Sequence, residues 1–270
     1  MSFDPDSFNT FERTSWERRA GAYLDGFAML SSHTVEPLLD AVGATAGTRL
    51  LDVGCGPGVL SARAVARGAS VTGVDVAGPM IEIARTAVPE GSFAVGDLQT
   101  GLPYGDGAFD VITGNMVLHH LGRPADALRE MRRLLTAGGV IGMTVWDSPA
   151  DNPSVGLFTT ALERAGAASP PDIPVLPPRP DDAGYRDLFA AAGFADVKVG
   201  HLTFDLVVEP GRWWDAVVTS TALTSALVEQ QDAATQRRIR AAYDELVQQY
   251  PGPAGRVALP ASATLVTARR

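Results

Sequence analysis

A glycine-rich turn stands directly behind an apolar run in Leu50-Leu51-Asp52-Val53-Gly54-Cys55-Gly56-Pro57-Gly58. Glycines there permit positive φ and let a ligand lie against the backbone with no Cβ in the way. Asp75 closes the next apolar run, Ser70-Val71-Thr72-Gly73-Val74. A carboxylate at the tip of the second strand of such a unit faces a bound nucleoside and accepts from both ribose hydroxyls. Gly96-Asp97-Leu98 follows a third run and adds another short polar side chain at the same edge. Each signal alone is an ordinary turn. Together, each at a strand end, they describe a ligand pocket at the carboxyl edge of a sheet. The spacing is Gly-x-Gly-x-Gly, with Val59 where a dinucleotide loop wants glycine or alanine, which weakens a nicotinamide reading.

Four histidines are candidates for a general base: His33, His119, His120 and His201. His33 falls in the N-terminal helical region, His119 and His120 follow the fourth strand, and His201 falls in a strand distant from the glycine loop. Cys55 is the sole cysteine; it fills a small-residue position in that loop, and no histidine is placed beside it by sequence. Trp146, Trp213 and Trp214 are apolar wall candidates, although ordinary packing accounts for Trp214 equally well.

These residues need strands to present them. Apolar positions Phe8, Phe11, Trp16, Ala20, Tyr23, Leu24, Phe27 and Leu30 recur at helical spacing. From Arg49 the chain alternates between short apolar runs (49–53, 70–74, 92–95, 109–113, 140–146) and amphipathic stretches (59–67, 79–87, 124–135). Such alternation predicts an α/β fold with a parallel sheet and helices on both faces. The expected organisation is an N-terminal helical cover over 1–45, a core over 46–206 and a helical cap insertion over 207–258. A final strand within 259–270 completes the core, and the proline-rich stretch 147–180 reads as a lid.

The chain has 270 residues with 31 Asp+Glu against 22 Lys+Arg, a formal charge of -9. Its 46% hydrophobic and 20% charged content excludes a disordered chain, and its acidity argues against nucleic acid as a partner. The charged N-terminus lacks the apolar core of a secretory signal, and the longest uncharged runs fall short of the ~20 residues a membrane span needs. A cytoplasmic protein with no membrane partner is expected.

The set Leu-Asp-Val-Gly-Cys-Gly-Pro-Gly, Gly73-Val74-Asp75 with Met80 beyond it, Gly96-Asp97, Phe109-Asp110-Val111-Ile112 and Leu118-His119-His120-Leu121 resembles the class I S-adenosylmethionine-dependent methyltransferases. The match runs on through Arg133-Leu134-Leu135-Thr136-Ala137-Gly138-Gly139 and is closest in character to the small-molecule, ubiquinone/menaquinone-type branch. The resemblance implies a Rossmann-like seven-stranded, mostly parallel sheet whose last strand is antiparallel at the edge. It implies S-adenosyl-L-methionine as cofactor. Gly54, Cys55 and Gly56 would line its methionine portion and ribose, Asp75 would hold the ribose hydroxyls, and Met80 would pack on the adenine. Asp97 and the Leu98 backbone would meet the adenine amino group, and Asn115 would lie near the sulfonium. Tyr23 or Arg19 would close over the carboxylate.

The resulting expectation is methyl transfer to O, N or C of a small, largely apolar metabolite, with His33 or His120 as catalytic base and no metal. Lys198 is the only lysine and lacks the Tyr-x-x-x-Lys partner of short-chain dehydrogenases. Asn115-Met116-Val117-Leu118 is not the Asn-Pro-Pro-Tyr of base-modifying relatives. A cofactor-binding scaffold that catalyses a non-methylating reaction such as cyclisation stays open, because fold does not fix function.

Overall fold

A computed structural model describes residues 2–270. Asp4 starts the first helix, α1 (Pro5–Tyr23), by accepting the Asp6 N–H, with Pro5 supplying a preset φ in the first turn. Two short helices, α2 (Ala28–Ser31) and α3 (Val35–Ala41), are joined by a 3₁₀ turn at Ser32–Thr34. The sheet then begins: β1 (Arg49–Val53), α4 (Val59–Ala66), β2 (Ser70–Asp75), α5 (Gly78–Ala87), β3 (Ser92–Val95), β4 (Phe109–Asn115), α6 (Pro124–Leu134) and β5 (Leu135–Trp146). Helices α7 (Pro153–Arg164) and α8 (Asp182–Ala191) lead to β6 (Ala195–Val208). Three helices follow, α9 (Pro210–Ser220), α10 (Leu223–Glu229) and α11 (Ala233–Val247), and β7 (Val257–Arg269) ends the chain.

The seven strands form one sheet in the order β3-β2-β1-β4-β5-β7-β6. All contacts from β3 to β5 are parallel, and β7 runs antiparallel to both its neighbours. The order reverses between β1 and β4, so the carboxyl ends of these two strands diverge into a crevice. The mostly parallel Rossmann-like sheet is therefore present. One detail is corrected: β7 is not at the edge but wedged between β5 and β6, and β6 takes the edge. Burial explains it. The residues of β7 are buried on both faces through its middle, whereas β6 alternates exposed and part-buried positions for most of its length.

Three other expectations change. The stretch 147–180 is not all lid, because α7 buries Leu157, Phe158 and Ala161 in the core. The helical run 209–250 is three helices: Thr221 turns extended after α9, and the Asp232 carboxylate restarts α11 by accepting the Ala234 and Thr235 N–H groups. Ala137-Gly138-Gly139 does not close α6. The register jumps from Phe109↔Leu135 to Val111↔Val140, and the glycines form a bulge inside β5.

One sheet face packs Leu51, Ile112 and Met143 against Met131, Leu134 and Phe189 of α6 and α8. The other packs Leu50 and Val111 against Leu38, Leu39, Leu60 and Ala64 of α3 and α4. A third cluster joins Phe158, Trp213 and Tyr243 to Leu259 and Ala263 of β7. Among the described residues, no helix is long and apolar enough to cross a membrane.

Candidate active site

A cavity of about 380 Å³ opens at the carboxyl ends of β1, β2 and β4. That volume is in the range of small-molecule and cofactor sites. Its floor is the loop between β1 and α4. Cys55 N–H donates to the Val74 carbonyl at 3.0 Å and Gly58 N–H to the Cys55 carbonyl at 3.0 Å, which folds the loop back onto β2. Gly56 holds φ +52° and a Cβ there would meet nothing within 4 Å, so its backbone faces open space. Gly54 is glycine for a different reason: a Cβ would collide with Val117 at 2.4 Å.

Two carboxylates stand over this floor. Asp75 is nearly buried; its Oδ2 accepts the Gly56 N–H and its Oδ1 the Ala77 N–H, both at 2.9 Å. Burial pushes its carboxyl upward, opposed by those two N–H groups and by nearby His120. Asp52 is fully buried at the end of β1, accepts from Ser61 Oγ at 2.7 Å, and is pushed up to about 7 by burial despite that bond. Neither carboxylate has an ion-pair partner within 4.0 Å among the described residues. Cys55 lines the same floor, and burial followed by the charges of Asp52 and Asp75 raises its thiol well above the usual range, so it is held as the neutral, non-nucleophilic form.

The N-terminal helices roof the cavity. The Arg13 guanidinium meets the Asp97 carboxylate at 2.9 Å, and Arg123 meets Asp6 at 2.7 Å. Gly122 N–H donates to Asn9 at 2.8 Å. Within this roof Glu12 is 6% exposed, and its Oε2 takes both the Trp16 indole N–H and His120 Nδ1, each at 2.9 Å. The His120 ring stands edge-on to Trp16 at 5.2 Å. A carboxylate on Nδ1 fixes the tautomer and leaves Nε2 as the nitrogen that can take a proton. Glu12 carried no signal in the sequence: it reads as one more charge on an amphipathic helix.

Of the residues singled out by sequence, Tyr23, Gly54, Cys55, Gly56, Asp75, Met80, Asp97, Leu98, Asn115, His119, His120 and Trp146 all line this one cavity. Asn115 does so while also holding neighbouring elements together. Its Oδ1 accepts from Thr34 and Thr144, each at 2.6 Å, and its Nδ2 donates to the Ser31 carbonyl at 3.1 Å. The amide staples the roof to β4 and β5, and one of its two N–H donors stays free.

Several expectations fail. His33 lies outside the cavity, stacked on Phe204 of β6 with ring centroids 4.6 Å apart. The reason is helical phase: Ser31 and Thr34 turn toward Asn115, and a residue two positions after Ser31 in a 3₁₀ turn faces about two-thirds of a turn away. Arg19 does not close the site either; it donates to Glu229 at 3.0 and 2.9 Å and to the Thr219 carbonyl, locking α1 to the cap. Trp213 and Trp214 are core residues: the Trp213 indole N–H donates to the Ser154 carbonyl, and Trp214 stacks on Phe158 under Arg240. His201 sits on the exposed side of β6 between Asp147 and Asp182.

Comparison with known proteins agrees with this geometry. A family model described as a methyltransferase domain matches residues 51–143. The demethylmenaquinone methyltransferase of Renibacterium salmoninarum is 30% identical over 181 residues, covering 63% of this chain and 76% of that protein. The ubiquinone biosynthesis O-methyltransferase of Pseudomonas aeruginosa is 35% identical over 137 residues, 47% of this chain and 56% of that protein. Among solved structures, the YcgJ protein of Bacillus subtilis aligns with TM-score 0.60 and 21% identity, covering 88% of this chain and 98% of that one. The [4+2]-cyclase SpnF aligns with TM-score 0.51 and 22% identity, covering 88% and 81%. Identities this low speak for the fold alone.

Proposed function

The chain belongs to the class I S-adenosylmethionine-dependent methyltransferases, and from that premise we propose that it methylates a small, largely apolar acceptor whose proton is taken by His120. S-adenosyl-L-methionine is the cofactor, and when bound it supplies a methyl group already activated by a sulfonium. The residues of the cavity suit that molecule. Gly56 leaves room for a ligand at backbone distance, and Asp75 ends β2 where ribose hydroxyls are held.

In this reading Gly54, Cys55 and Gly56 border the methionine and ribose, Asp75 takes the ribose hydroxyls, and Met80, Asp97 and Leu98 border the adenine. Tyr23 covers the amino-acid end. Its hydroxyl is bonded to Ser31 at 3.1 Å, and burial raises it further above the ordinary tyrosine range, so it stays neutral. Asn115 ties β4, β5 and the roof together and keeps one amide N–H for the amino-acid end of the cofactor. The acceptor occupies the apolar part lined by Trp16, Phe27, Met116, Leu121 and Trp146. We propose that the reaction takes place in the cytoplasm.

The observation that carries the proton step is the Glu12–His120 pair inside the cavity. A hydroxyl or acidic carbon must lose a proton as the methyl is transferred, and a carboxylate-backed imidazole is suited to accept it. A methyl acceptor with no proton to lose would have no use for the pair. That the fold also hosts a [4+2]-cyclase favours keeping one second reading, a non-methylating reaction in the same cavity.

Incubation with methyl-labelled S-adenosylmethionine and a panel of phenols, enols and hydroxy acids tests the choice. Label transfer with stoichiometric S-adenosylhomocysteine release is expected. An isomerised product of unchanged mass, with no S-adenosylhomocysteine formed, would establish the second reading instead.

A further inference from the structure

Three polar groups in the cavity are used neither by the cofactor reading nor by the Glu12–His120 pair. Arg179 comes from the proline-rich segment that precedes α8. One of its terminal nitrogens donates to the Trp146 and Asp147 carbonyls at the end of β5, and among the described residues it has no other partner. The rest of the guanidinium fork, Nε and the second terminal nitrogen, is unused. No carboxylate lies within ion-pair distance of it among the described residues. Tyr185 lies one turn into α8; its ring is buried, and its hydroxyl makes no hydrogen bond among the described residues. His119 has a fully buried Nδ1 with no partner. All three side chains line the cavity.

Leaving the buried His119 Nδ1 unmatched is costly, whereas Arg179 is exposed as a residue and its free N–H groups stay available to a ligand. Partial desolvation against the cavity wall lowers Arg179 below the ordinary arginine range, with Tyr185 and Asp147 opposing the shift. Burial, then the charges of His120 and Arg179, push His119 well below the ordinary histidine range, so it stands as a neutral imidazole beside the guanidinium. A neutral cluster around one unpaired cation is complementary to a single anion. The planar fork, with donors on two adjacent nitrogens, matches the two oxygens of a carboxylate. Leu176, Pro177 and Pro178 on the same segment, with Leu188 on α8, give the anion an apolar surround.

We propose that Arg179 and Tyr185, with His119 beside them, form an anchoring site for a carboxylate on the methyl acceptor, so that the substrate is an apolar acid. This rests on the methyltransferase reading and sharpens its acceptor class. The site is assembled from the loop after β4, the segment before α8 and α8 itself, and it shares no residue with the cofactor loop. Arg179 acts here as a specificity residue and takes no part in the proton step.

The test is a binding titration with S-adenosylhomocysteine-loaded protein. The probes are matched pairs of apolar carboxylic acids and their primary amides, from cinnamic acid and cinnamamide to octanoic acid and octanamide. The wild type should bind at least one acid roughly tenfold or more tightly than its amide. Arg179→Gln should erase that preference while leaving S-adenosylhomocysteine affinity in place, and Arg179→Lys should restore only part of it. Because Arg179 also bonds the β5 carbonyls, Tyr185→Phe serves as the second variant; it keeps that bond and should reduce the preference about two- to fivefold. Acid and amide binding equally across the panel, no acid binding below millimolar concentration, or a preference that survives Arg179→Gln would each overturn the proposal. Loss of S-adenosylhomocysteine binding by the wild type would instead refute the reading beneath it, and the two failures are read from separate titrations.

Discussion

Replacing Asp52 by asparagine should flatten the dependence of stability on pH. The carboxyl is fully buried and is pushed from the ordinary 3.8 to about 7, mainly by burial, with Ser61 and Thr113 pulling it down and Asp75 pushing it up. The folded protein therefore holds the Asp52 proton more tightly than the unfolded chain does. The sign follows: the stability Asp52 contributes is present below about pH 4 and is lost as pH rises through about 7. A rise of about 3 units at about 1.4 kcal/mol per unit gives at most about 4 kcal/mol. Asparagine has nearly the same shape. Its carbonyl can accept from Ser61, as the Oδ2 of Asp52 does at 2.7 Å, and its amide can donate to the Thr113 hydroxyl, 3.5 Å from Oδ1.

The variant should thus be close to wild type only at or below about pH 4, more stable by roughly 1.5–2 kcal/mol near pH 5 and by up to about 4 kcal/mol near pH 8. Urea unfolding at half-unit steps from pH 5 to 8.5 measures it. Some slope will persist in the variant, because Asp75 titrates in the same sense. Equal slopes for variant and wild type across this window would refute the claim that Asp52 is held protonated by burial.

Asp75→Ala should abolish cofactor binding in calorimetry; it also leaves the Gly56 and Ala77 N–H groups unpaired, so Asp75→Asn is the gentler probe, with a loss of about a hundredfold or more in affinity. Full affinity in both variants would remove Asp75 from the site. His120→Ala should lower kcat by about 10²- to 10⁴-fold with cofactor affinity retained. Glu12→Gln should lower kcat less, since the imidazole loses the carboxylate that holds its tautomer; full turnover would count against the pair. Phe158→Ala removes a ring packed against Trp213, Trp214 and Tyr243 and should cost about 3–5 kcal/mol in denaturant unfolding, which would mark α7 as core and not lid.

Much of the half of the cavity built on the glycine loop was legible because its signals are local. The Gly54–Gly58 loop, Asp75 and Asp97 each follow a strand in the sequence, and a parallel sheet brings successive strand ends to one edge. The α/β class was legible for the same reason, since a strand period of 2 and a helical period of 3.6 are short-range properties. Even there the chain order hid one fact. The last strand is not at the edge, because its two-sided burial is satisfied only between β5 and β6.

The other half of the cavity depends on long-range contacts that no local pattern encodes. Glu12 meets His120 across 108 positions of chain, because α1 folds back over the sheet edge and is pinned there by Arg13 and Arg123. His33 and His120 were equal candidates in sequence; the phase of one 3₁₀ turn sends the first onto Phe204 of β6, outside the cavity. Arg179 sits in a run of prolines with no periodicity, and only the bonds to Trp146 and Asp147 bring it into the cavity. Sequence alone determined the fold class and the glycine loop at the strand end, since the periodicity and the glycine spacing lie within one or two elements. Tertiary structure decided which charges face one another, because burial and pairing depend on elements distant in the chain.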